Sequence, residues 1–474
     1  MTIRQSVRQW LDRTRPIDER TAQVLRDRWA ALPEAVRTPE QLLGRHAVGC
    51  EGTHGVFPKC NLNCSPCYHS RDANKVRIDG SHTVTQIDEQ MAYLAKRRGP
   101  RAHAQLIGGE VSLLAPDDHA AALLTMRAHG REPMSMTHGD FDYDYLEKVV
   151  LDGDRRVRLP RVSFAAHFDS LMRGRRGVPR PYSEAELDGY RATFVEMFAR
   201  LRRETGVRSY LAHNMTVTPA NLRQVASVVA SVSRMGYQML SFQPAAFVGD
   251  DRRWDEGYDD VDIDAVWEEL ESGLGQKVSW RALQFGDRRC NRTAFGFKVG
   301  PTWHTLCEAE VPAETAARDV FLNHFGGMSF GGTPPTLLVA KLVRVLTRHP
   351  RDIVVIAAWT RSVVGRVGGL GTLVRAARRG EVTPMTFVVH QFMDAADVAP
   401  AWRLLKAGVV ADDERVRATQ ERLQACTYSM SHPETGELVP ACAQHGVLDP
   451  VENVELRRLL PLTVLDQHPV AVGA

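Results

Sequence analysis

Three of the chain's eight cysteines stand close together, in the stretch CNLNCSPCYHS. Cys60, Cys64 and Cys67 have the spacing C-x3-C-x2-C, which suits a metal centre or a redox dithiol with a third, bystander thiol. A structural zinc ion would need a fourth ligand, for which Cys50 and His69 are candidates. An iron–sulfur cubane held by three thiolates would instead leave one iron open. The spacing alone leaves all three interpretations open.

A second motif lies further along the chain, where an apolar run ends in QLIGGE. Its last three residues are Gly108, Gly109 and Glu110. Glycines at the end of a strand let the backbone come close to a ligand, and a carboxylate beside them can hold an ammonium group. A structural zinc site has no use for this arrangement. A site that binds an amino acid at an open iron does, so the two motifs together favour the cubane.

The two motifs, in this order and within alternating strands and helices, resemble the signatures of the radical S-adenosylmethionine (radical SAM) superfamily over residues 50–250. The resemblance implies a [4Fe-4S] cluster on the three clustered cysteines, whose fourth iron takes the amino and carboxyl groups of SAM. Reductive cleavage of SAM would then generate a 5′-deoxyadenosyl radical that abstracts hydrogen from a substrate. The implied SAM contacts are Gly108, Gly109 and Glu110 at the ammonium, Tyr68 near the adenine, His138 of THGD near the ribose, and Asp169 of AAHFD.

Short apolar runs alternate with helix-like stretches from residue 46 to residue 250. The runs include AQLIGG, RVSFAAHFD and YQMLSFQPA, and IDEQMAYLAKRR and NLRQVASVVASVSRMG are among the helical stretches. This rhythm predicts parallel strands with right-handed crossovers, whose C-terminal ends carry the functional loops. The same rhythm predicts an α/β fold. The resemblance implies its form: a partial (β/α)6 TIM-like radical SAM barrel followed by a C-terminal α+β iron–sulfur domain.

A polar stretch, GDDRRWDEGYDDVD, marks a domain boundary. The expected organisation is an N-terminal helical segment at 1–45, a radical SAM core at 46–260 and a C-terminal domain at 261–474. The last of these carries two strand candidates, DIVVIAAW and MTFVVHQFM. It also contains the basic run VRAARRGE, which suits a solvated face, a site for a substrate phosphate or a contact for an electron donor.

Four further cysteines form two pairs in the C-terminal part of the chain. Each pair flanks a glycine-containing segment typical of a hairpin or loop. Four thiolates saturate a [4Fe-4S] cluster, so we expect a second, auxiliary cluster, with zinc or four buried free thiols as alternatives. The four residues are Cys290, Cys307, Cys426 and Cys442. Cys50 is a candidate for three roles: a buried thiol, a further cluster ligand or a catalytic hydrogen donor to a radical.

The stretches HQFMDAADV and ERLQACTYSMSHPETGELVPAC resemble the C-terminal region of the radical SAM group that contains archaeal tetraether lipid synthase. This resemblance implies an auxiliary cluster and a lipid-like substrate. The N-terminal C-x2-C pairs of that synthase are missing, so tail-to-tail lipid coupling is not implied. Two alternatives remain: a SPASM-like radical SAM oxidoreductase that modifies a peptide or metabolite, and a zinc-stabilised binding module without enzymatic activity.

The composition limits the classes of partner that the chain is expected to bind. With 60 basic and 57 acidic residues the formal charge is +3, which argues against a dedicated nucleic-acid binder. The charged N-terminus lacks the apolar core of a secretion signal, and no apolar run reaches the length of a transmembrane helix. We expect a cytoplasmic enzyme that acts on a small molecule or lipid and takes electrons from a flavodoxin or ferredoxin.

Overall fold

The structure is a computed structural model that describes residues 12, 14–67, 71–247, 261–330, 333–432 and 437–462. The strands within these residues are β1 Cys50–Gly52, β2 Asn63–Cys64, β3 Ala102–Leu106, β4 Arg131–Thr137, β5 Arg161–His167, β6 Met172–Arg173, β7 Arg208–Val217, β8 Met239–Pro244, β9 Asn291–Val299, β10 Thr302–Thr305, β11 Val382–His390, β12 Tyr428–His432 and β13 Glu437–Pro440.

The helices begin in the N-terminal segment that was predicted to be helical and continue to the end of the described chain. They are α1 Glu19–Ala30, α2 Gly80–Arg98, α3 Pro116–Ala128, α4 Tyr143–Val150, α5 Asp188–Thr205, α6 Val225–Val232, α7 Ile263–Leu274, α8 Pro312–His324, α9 Pro335–Arg348, α10 Asp352–Arg366, α11 Leu370–Arg378, α12 Ala395–Lys406, α13 Glu414–Gln424 and α14 Asp449–Leu459.

Eleven of the strands form one sheet, in the order β10-β9-β11-β8-β7-β5-β4-β3-β1-β12-β13. The strands from β11 to β12 in this order are parallel to their neighbours, and helices connect most of them along the chain. The α/β class predicted from the alternation of apolar runs is confirmed. The short strands β2 and β6 pair separately and belong to the cysteine stretch described below.

The large sheet curls strongly. Laid flat, eleven strands would span roughly 48 Å, at about 4.8 Å between neighbouring strands. Nevertheless, residues from β9, near one end of the strand order, and from β12, near the other, line the same cavity. The two ends therefore approach each other, and the concave face of the sheet encloses the cavity.

Successive side chains of each strand point alternately into this cavity and toward the helices on the outer face of the sheet. On β4, Met134 and Met136 face the cavity, whereas Ser135 between them bonds to His119 on α3. A buried ion pair strengthens the outer layer, because Arg131 makes two bonds of 2.9 and 3.1 Å to the carboxylate of Glu51. The concave face thus carries the candidate site, and the convex face carries the main hydrophobic core.

The strands beyond residue 260 join the sheet that the earlier strands begin. β11 pairs with β8, and β12 pairs with β1, so chain segments from both sides of the predicted boundary are hydrogen-bonded neighbours. The predicted division at residue 260 therefore does not coincide with a break in the sheet.

One strand candidate was wrong. DIVVIAAW forms the first half of helix α10, whereas MTFVVHQFM contributes to β11 as predicted. Asp352 occupies the first turn of α10, where a carboxylate is favourable beside the unpaired N–H groups of a helix start. Among the described residues no single helix is long and apolar enough to cross a membrane, and α10 and α11 reach that criterion only as a pair bent by 74°.

Candidate functional site

A cavity of about 480 Å³ lies inside the curled sheet. This volume is in the range of sites for cofactors and small molecules. Part of its wall comes from the predicted site residues, and another part is apolar. The predicted residues that line it are Cys50, Cys60, Cys64, Cys67, Gly108, Gly109, Glu110, His138 and Asp169. The cavity therefore brings together the cysteine stretch and the polar ends of β3, β4 and β5.

The glycines after β3 hold the backbone that leads into the cysteine stretch. Gly109 N–H donates to the carbonyl of Phe57 at 2.8 Å, and Glu110 N–H donates to the carbonyl of Lys59 at 2.9 Å. A Cβ on Gly109 would lie 2.1 Å from the Lys59 oxygen, closer than any side chain tolerates. The close backbone approach that these glycines permit therefore fixes the segment immediately before Cys60.

Further contacts hold the cysteine stretch in place. Cys60 N–H donates to the side chain of Asn74 at 3.0 Å. Asn63 and Cys64 form β2, which pairs with β6 after the end of β5. His138 Nε2 and the amide oxygen of Asn61 are 2.7 Å apart, which joins the stretch to the end of β4.

Glu110 is buried and its carboxylate faces the cavity. Its Oε1 accepts bonds from Ser112 N–H at 2.9 Å and from the Thr137 hydroxyl at 2.6 Å. Its Oε2 accepts from His138 N–H at 2.7 Å. His138 Nε2 also lies 3.4 Å from Oε2, but its shorter contact is with Asn61 at 2.7 Å. Because a carboxylate oxygen can accept two hydrogen bonds, Oε2 retains capacity for one more donor, such as an ammonium group.

Asp169 joins the ends of β5 and β7. Its Oδ2 lies 2.6 Å from Nε2 of His167 and accepts from Thr216 N–H at 3.1 Å. Its Oδ1 accepts from Leu171 N–H at 2.9 Å. Burial alone would raise the pKa of Asp169, but His167 and the backbone donors lower it below its ordinary value. Asp169 is therefore ionised, and it links the ends of β5 and β7 in the cavity wall.

Arg175 places a buried positive charge beside the cysteine stretch. Its guanidinium donates to the carbonyl of His138 at 2.8 Å and lies over the ring of Phe168, 4.8 Å from its centroid. Its Nε and Nη1 have no hydrogen-bond partner among the described residues, and Cys64 is one of its electrostatic neighbours. Sequence inspection missed Arg175, because GRRGVP looks like a solvated basic run.

Tyr68, the expected adenine contact, lies outside the described residues.

A second group of cysteines gathers where the two ends of the sheet approach each other. Cys50 and Cys426 pack against the same apolar cluster, which contains Tyr428 and Met430. Cys290 and Cys442 lie close enough to Cys426 for their charges to interact. Cys50 N–H donates to the carbonyl of Thr427 at 2.6 Å, which places β1 beside the residue that follows Cys426. Burial raises the pKa of both Cys50 and Cys290 to about 11. The structure thus groups Cys50, rather than Cys307, with the other three cysteines.

Three arginines surround this group of thiols. Arg422 Nε donates to Sγ of Cys290 at 3.0 Å. Arg28 donates to the carbonyl of Cys426 at 2.7 Å, and Arg98 donates to the carbonyl of Cys50 at 3.3 Å. None of these residues was selected from the sequence, because each is distant along the chain from the cysteine it contacts. Their positive charge suits a negatively charged group bound by the thiols.

Cys307 does not join this group, which corrects the set predicted from the sequence. Leu306 N–H donates to the carbonyl of Phe295, five residues along β9 from Cys290 and roughly 16 Å away in an extended strand. Cys307 Sγ instead lies 3.4 Å from the carbonyl of Glu314. A local hairpin was expected to bring Cys290 and Cys307 together, but the antiparallel register of β9 and β10 separates them.

A buried polar network ties the C-terminal helix to the residues that precede the cysteine stretch. His54 Nδ1 lies 2.7 Å from the carboxylate of Glu452, although the two residues are 398 positions apart. His445 Nδ1 lies 2.6 Å from Asp449, and Gln444 donates to that carboxylate at 2.6 Å. His445 also lines the cavity. The His54–Glu452 pair could not have been predicted from spacing, because the two residues lie near opposite ends of the chain, whereas the contacts of Asp449 are local to the C-terminal helix.

The comparisons with known proteins give the following results. No protein-family model and no curated protein matches the chain. Among solved structures 29 chains match. Native anSMEcpe with bound AdoMet has a TM-score of 0.30 and 13% identity, over 47% of this chain and 57% of that chain. Native anSMEcpe with bound AdoMet and Cp18Cys peptide has a TM-score of 0.32 and 12% identity, over 48% and 58%. The chain spans a little over half the length of these proteins.

Proposed function

We propose that this chain is a radical SAM enzyme. It would cleave S-adenosylmethionine reductively and use the resulting 5′-deoxyadenosyl radical to abstract hydrogen from a lipid-like substrate. The observation that carries this proposal is the shared cavity of Cys60, Cys64 and Cys67 with the Gly108–Glu110 motif. The two motifs were predicted to act on one ligand, and direct backbone hydrogen bonds join their segments.

The residues present fit a three-thiolate cluster. Cys60, Cys64 and Cys67 offer three sulfur donors at the cavity wall, and Arg175 offers a buried positive charge with donors that the described residues do not satisfy. A [4Fe-4S] cluster held there would supply the electron that cleaves SAM. The chain would supply the binding, orientation and shielding from water.

Glu110 would bind the ammonium of SAM because its Oε2 can accept one more hydrogen bond. The bonds from Ser112, Thr137 and His138 already hold the carboxylate in one orientation, so little ordering would be needed when SAM binds. Asp169 and His167 would keep the ends of β5 and β7 at a fixed separation beside the nucleoside. Tyr68, which directly follows Cys67 in the sequence, remains our candidate for the adenine contact.

We also propose an auxiliary [4Fe-4S] cluster on Cys50, Cys290, Cys426 and Cys442. The support is the grouping of these thiols at the closure of the sheet and the three arginines around them. Cys50 would thus be a ligand instead of a hydrogen donor. Cys307, which packs against Glu314, would be a buried thiol.

The apolar part of the cavity wall supports an apolar substrate. It carries flexible and aromatic side chains that pack well against hydrocarbon. These residues are Met134, Met136, Met239, Phe285, Phe295, Val388 and Phe392. We propose that a lipid-like molecule lies along this wall and that a flavodoxin or ferredoxin delivers the electrons.

The test is anaerobic reconstitution with iron and sulfide, followed by a strong reductant and SAM. We expect 5′-deoxyadenosine from the wild type and from Cys307→Ala, and none from Cys64→Ala. A lipid extract should raise the yield above the level with SAM alone, whereas peptide and polar-metabolite extracts should not. A higher yield with peptides or metabolites would favour the SPASM-like alternative. A colourless protein that holds zinc and makes no 5′-deoxyadenosine would exclude the enzyme.

A further inference from the structure

Helices α9, α10 and α11 carry a concentrated positive charge. Residues 335–379 contain nine basic residues and one acidic residue, a net charge of +8. The whole chain carries +3, so the rest of the molecule carries a net charge of −5. We call residues 335–379 the basic helical segment. Its charge is opposite in sign to that of the remaining chain.

Most of this charge faces outward without an internal partner. Six arginines of the segment are exposed, and none of them forms an ion pair within the residues that the structure describes: Arg348, Arg351, Arg361, Arg375, Arg378 and Arg379. By contrast, some exposed arginines elsewhere form ion pairs, such as Arg155 with Glu147 and Arg203 with Glu196. The unpaired charge of the segment is therefore available to an external anion.

The same helices expose aliphatic side chains that their own packing does not use. The inner face of α9 already packs Leu338, Leu342 and Val345 into a small core with Phe325. Its outer face exposes Val339 and Val343, one helical turn apart.

The next two helices also expose aliphatic side chains, as an adjacent pair on α10 and as a pair one turn apart on α11. On α10, Ile353 and Val354 are 53% and 72% exposed, and on α11, Leu370 and Val374 are exposed one turn apart. The inner side of α11 packs Ala376 against Val299 of the sheet. When a helix packs one apolar face against its own protein and exposes another apolar face, the exposed face is typical of a site that contacts a partner or a membrane.

We propose that the basic helical segment binds the surface of an anionic lipid bilayer. Exposed aliphatic stripes next to unpaired arginines are typical of helices that lie in the bilayer interface. The aliphatic side chains would enter the boundary between headgroups and acyl chains, and the arginines would contact anionic headgroups. The bend of 74° between α10 and α11 lets short helices follow a surface, and each is too short to span a membrane.

A nucleic acid or an acidic protein would match the charge but not the aliphatic stripes. Six exposed Val, Ile and Leu side chains offer neither base stacking nor hydrogen bonds to phosphate. The whole chain has a modest net charge, so attraction to an anionic surface would be confined to this segment and would orient the molecule.

The test is co-sedimentation of the full-length protein with lipid vesicles. One set contains phosphatidylcholine alone, and the other contains phosphatidylcholine and phosphatidylglycerol in equal parts. We expect binding to the anionic vesicles to be stronger by about tenfold or more and to fall as salt rises toward about 1 M. Neither cluster nor SAM is required, so this result is independent of the proposed catalytic function.

Two sets of variants locate the contact. Arg375→Gln, Arg378→Gln and Arg379→Gln combined should weaken anionic binding by about tenfold or more, whereas Arg155→Gln, Arg200→Gln and Arg203→Gln should have little effect. Ile353→Ser with Val354→Ser should also weaken it. The control variant, Val409→Ser with Val410→Ser, changes two adjacent valines outside the segment that are 49% and 72% exposed. It should leave binding to anionic vesicles unchanged.

Absence of anionic preference, or equal weakening by control and test variants, would overturn the proposal. So would an Ile353→Ser, Val354→Ser variant that lowers the mass of the particle in solution without changing vesicle binding. That outcome would assign the stripes to self-association. Circular dichroism would establish that all variants keep the wild-type secondary structure.

Discussion

At the scale of single residues, Gly108 and Gly109 act on the protein backbone as well as on any ligand. The sequence predicted that they bring the backbone close to the SAM ammonium. The structure shows that Gly108 lies against Phe57 and Gly109 against Pro58 and Lys59, immediately before Cys60. The position of the first cysteine therefore depends on the absence of a side chain at Gly109.

This dependence predicts the effect of Gly109→Ala. The added Cβ would lie 2.1 Å from the Lys59 oxygen, so the segment before Cys60 must shift. A displacement of about 1 Å at a catalytic group can reduce turnover on the order of a hundredfold, and we expect such a loss in 5′-deoxyadenosine formation. Gly153→Ala is the control, because a Cβ there meets nothing within 4 Å. Equal activity of both variants would contradict this role for Gly109.

The cysteines outside the motif allow a second prediction at this scale. If Cys50 is an auxiliary-cluster ligand, Cys50→Ser should lower the iron content from about eight to about four per chain, as should Cys426→Ser. Cys307→Ser should keep the full iron content, because Cys307 packs against Glu314 away from the other thiols. Iron and acid-labile sulfide would be measured after anaerobic reconstitution. An unchanged iron content in Cys50→Ser would show that Cys50 is not a cluster ligand and would leave its other two candidate roles, buried thiol and hydrogen donor.

At the scale of secondary-structure elements, a neutral histidine joins three of them. His119 on α3 lies 3.0 Å from the hydroxyl of Tyr145 on α4 and 2.8 Å from that of Ser135 on β4. Burial, with a contribution from Arg158, lowers the pKa of His119 from 6.5 to about 3. The unfolded chain therefore takes up a proton near pH 6.5, and the folded chain does so only near pH 3.

The sign of the resulting pH dependence follows from linkage. Because the pKa of His119 is lower in the folded chain, its contribution to the free energy of unfolding is fully present above pH 6.5. That contribution is lost as the pH falls. The expected loss is about 1.4 kcal/mol for each pH unit below the unfolded value. His119→Gln removes this titration, so its melting temperature should fall less between neutral pH and about pH 5.5 than that of the wild type. Parallel declines of both proteins would show that His119 does not titrate on unfolding.

At the scale of the whole molecule, the fold class was predictable because it is encoded locally. Apolar runs and helical stretches alternate along the chain, and each βα unit can be identified within a few dozen residues. The cysteine stretch and the Gly108–Glu110 motif were predictable for the same reason, since each is contiguous. Their joint position on one cavity follows from the rule that functional loops cluster at the C-terminal ends of parallel strands.

The features that sequence inspection missed arise from contacts between distant parts of the chain. Cys290 and Cys307 looked like a hairpin pair, but curling of the sheet brings Cys290 to Cys426, and the register of β10 separates Cys307 from both. The domain boundary at residue 260 was placed on composition, which contains no information on which strands pair across it. DIVVIAAW was assigned to a strand because it is a short apolar run, but such a run can equally lie in a helix, and here it forms the first half of α10.

We have proposed that SAM binds at the iron that Cys60, Cys64 and Cys67 would leave open. This proposal is tested most directly by electron paramagnetic resonance of the anaerobically reduced protein, recorded before and after addition of SAM. We expect SAM to change the cluster signal of the wild type and to leave the remaining signal of Cys64→Ala unchanged. A wild-type spectrum unaffected by saturating SAM, or the same change in Cys64→Ala, would contradict it.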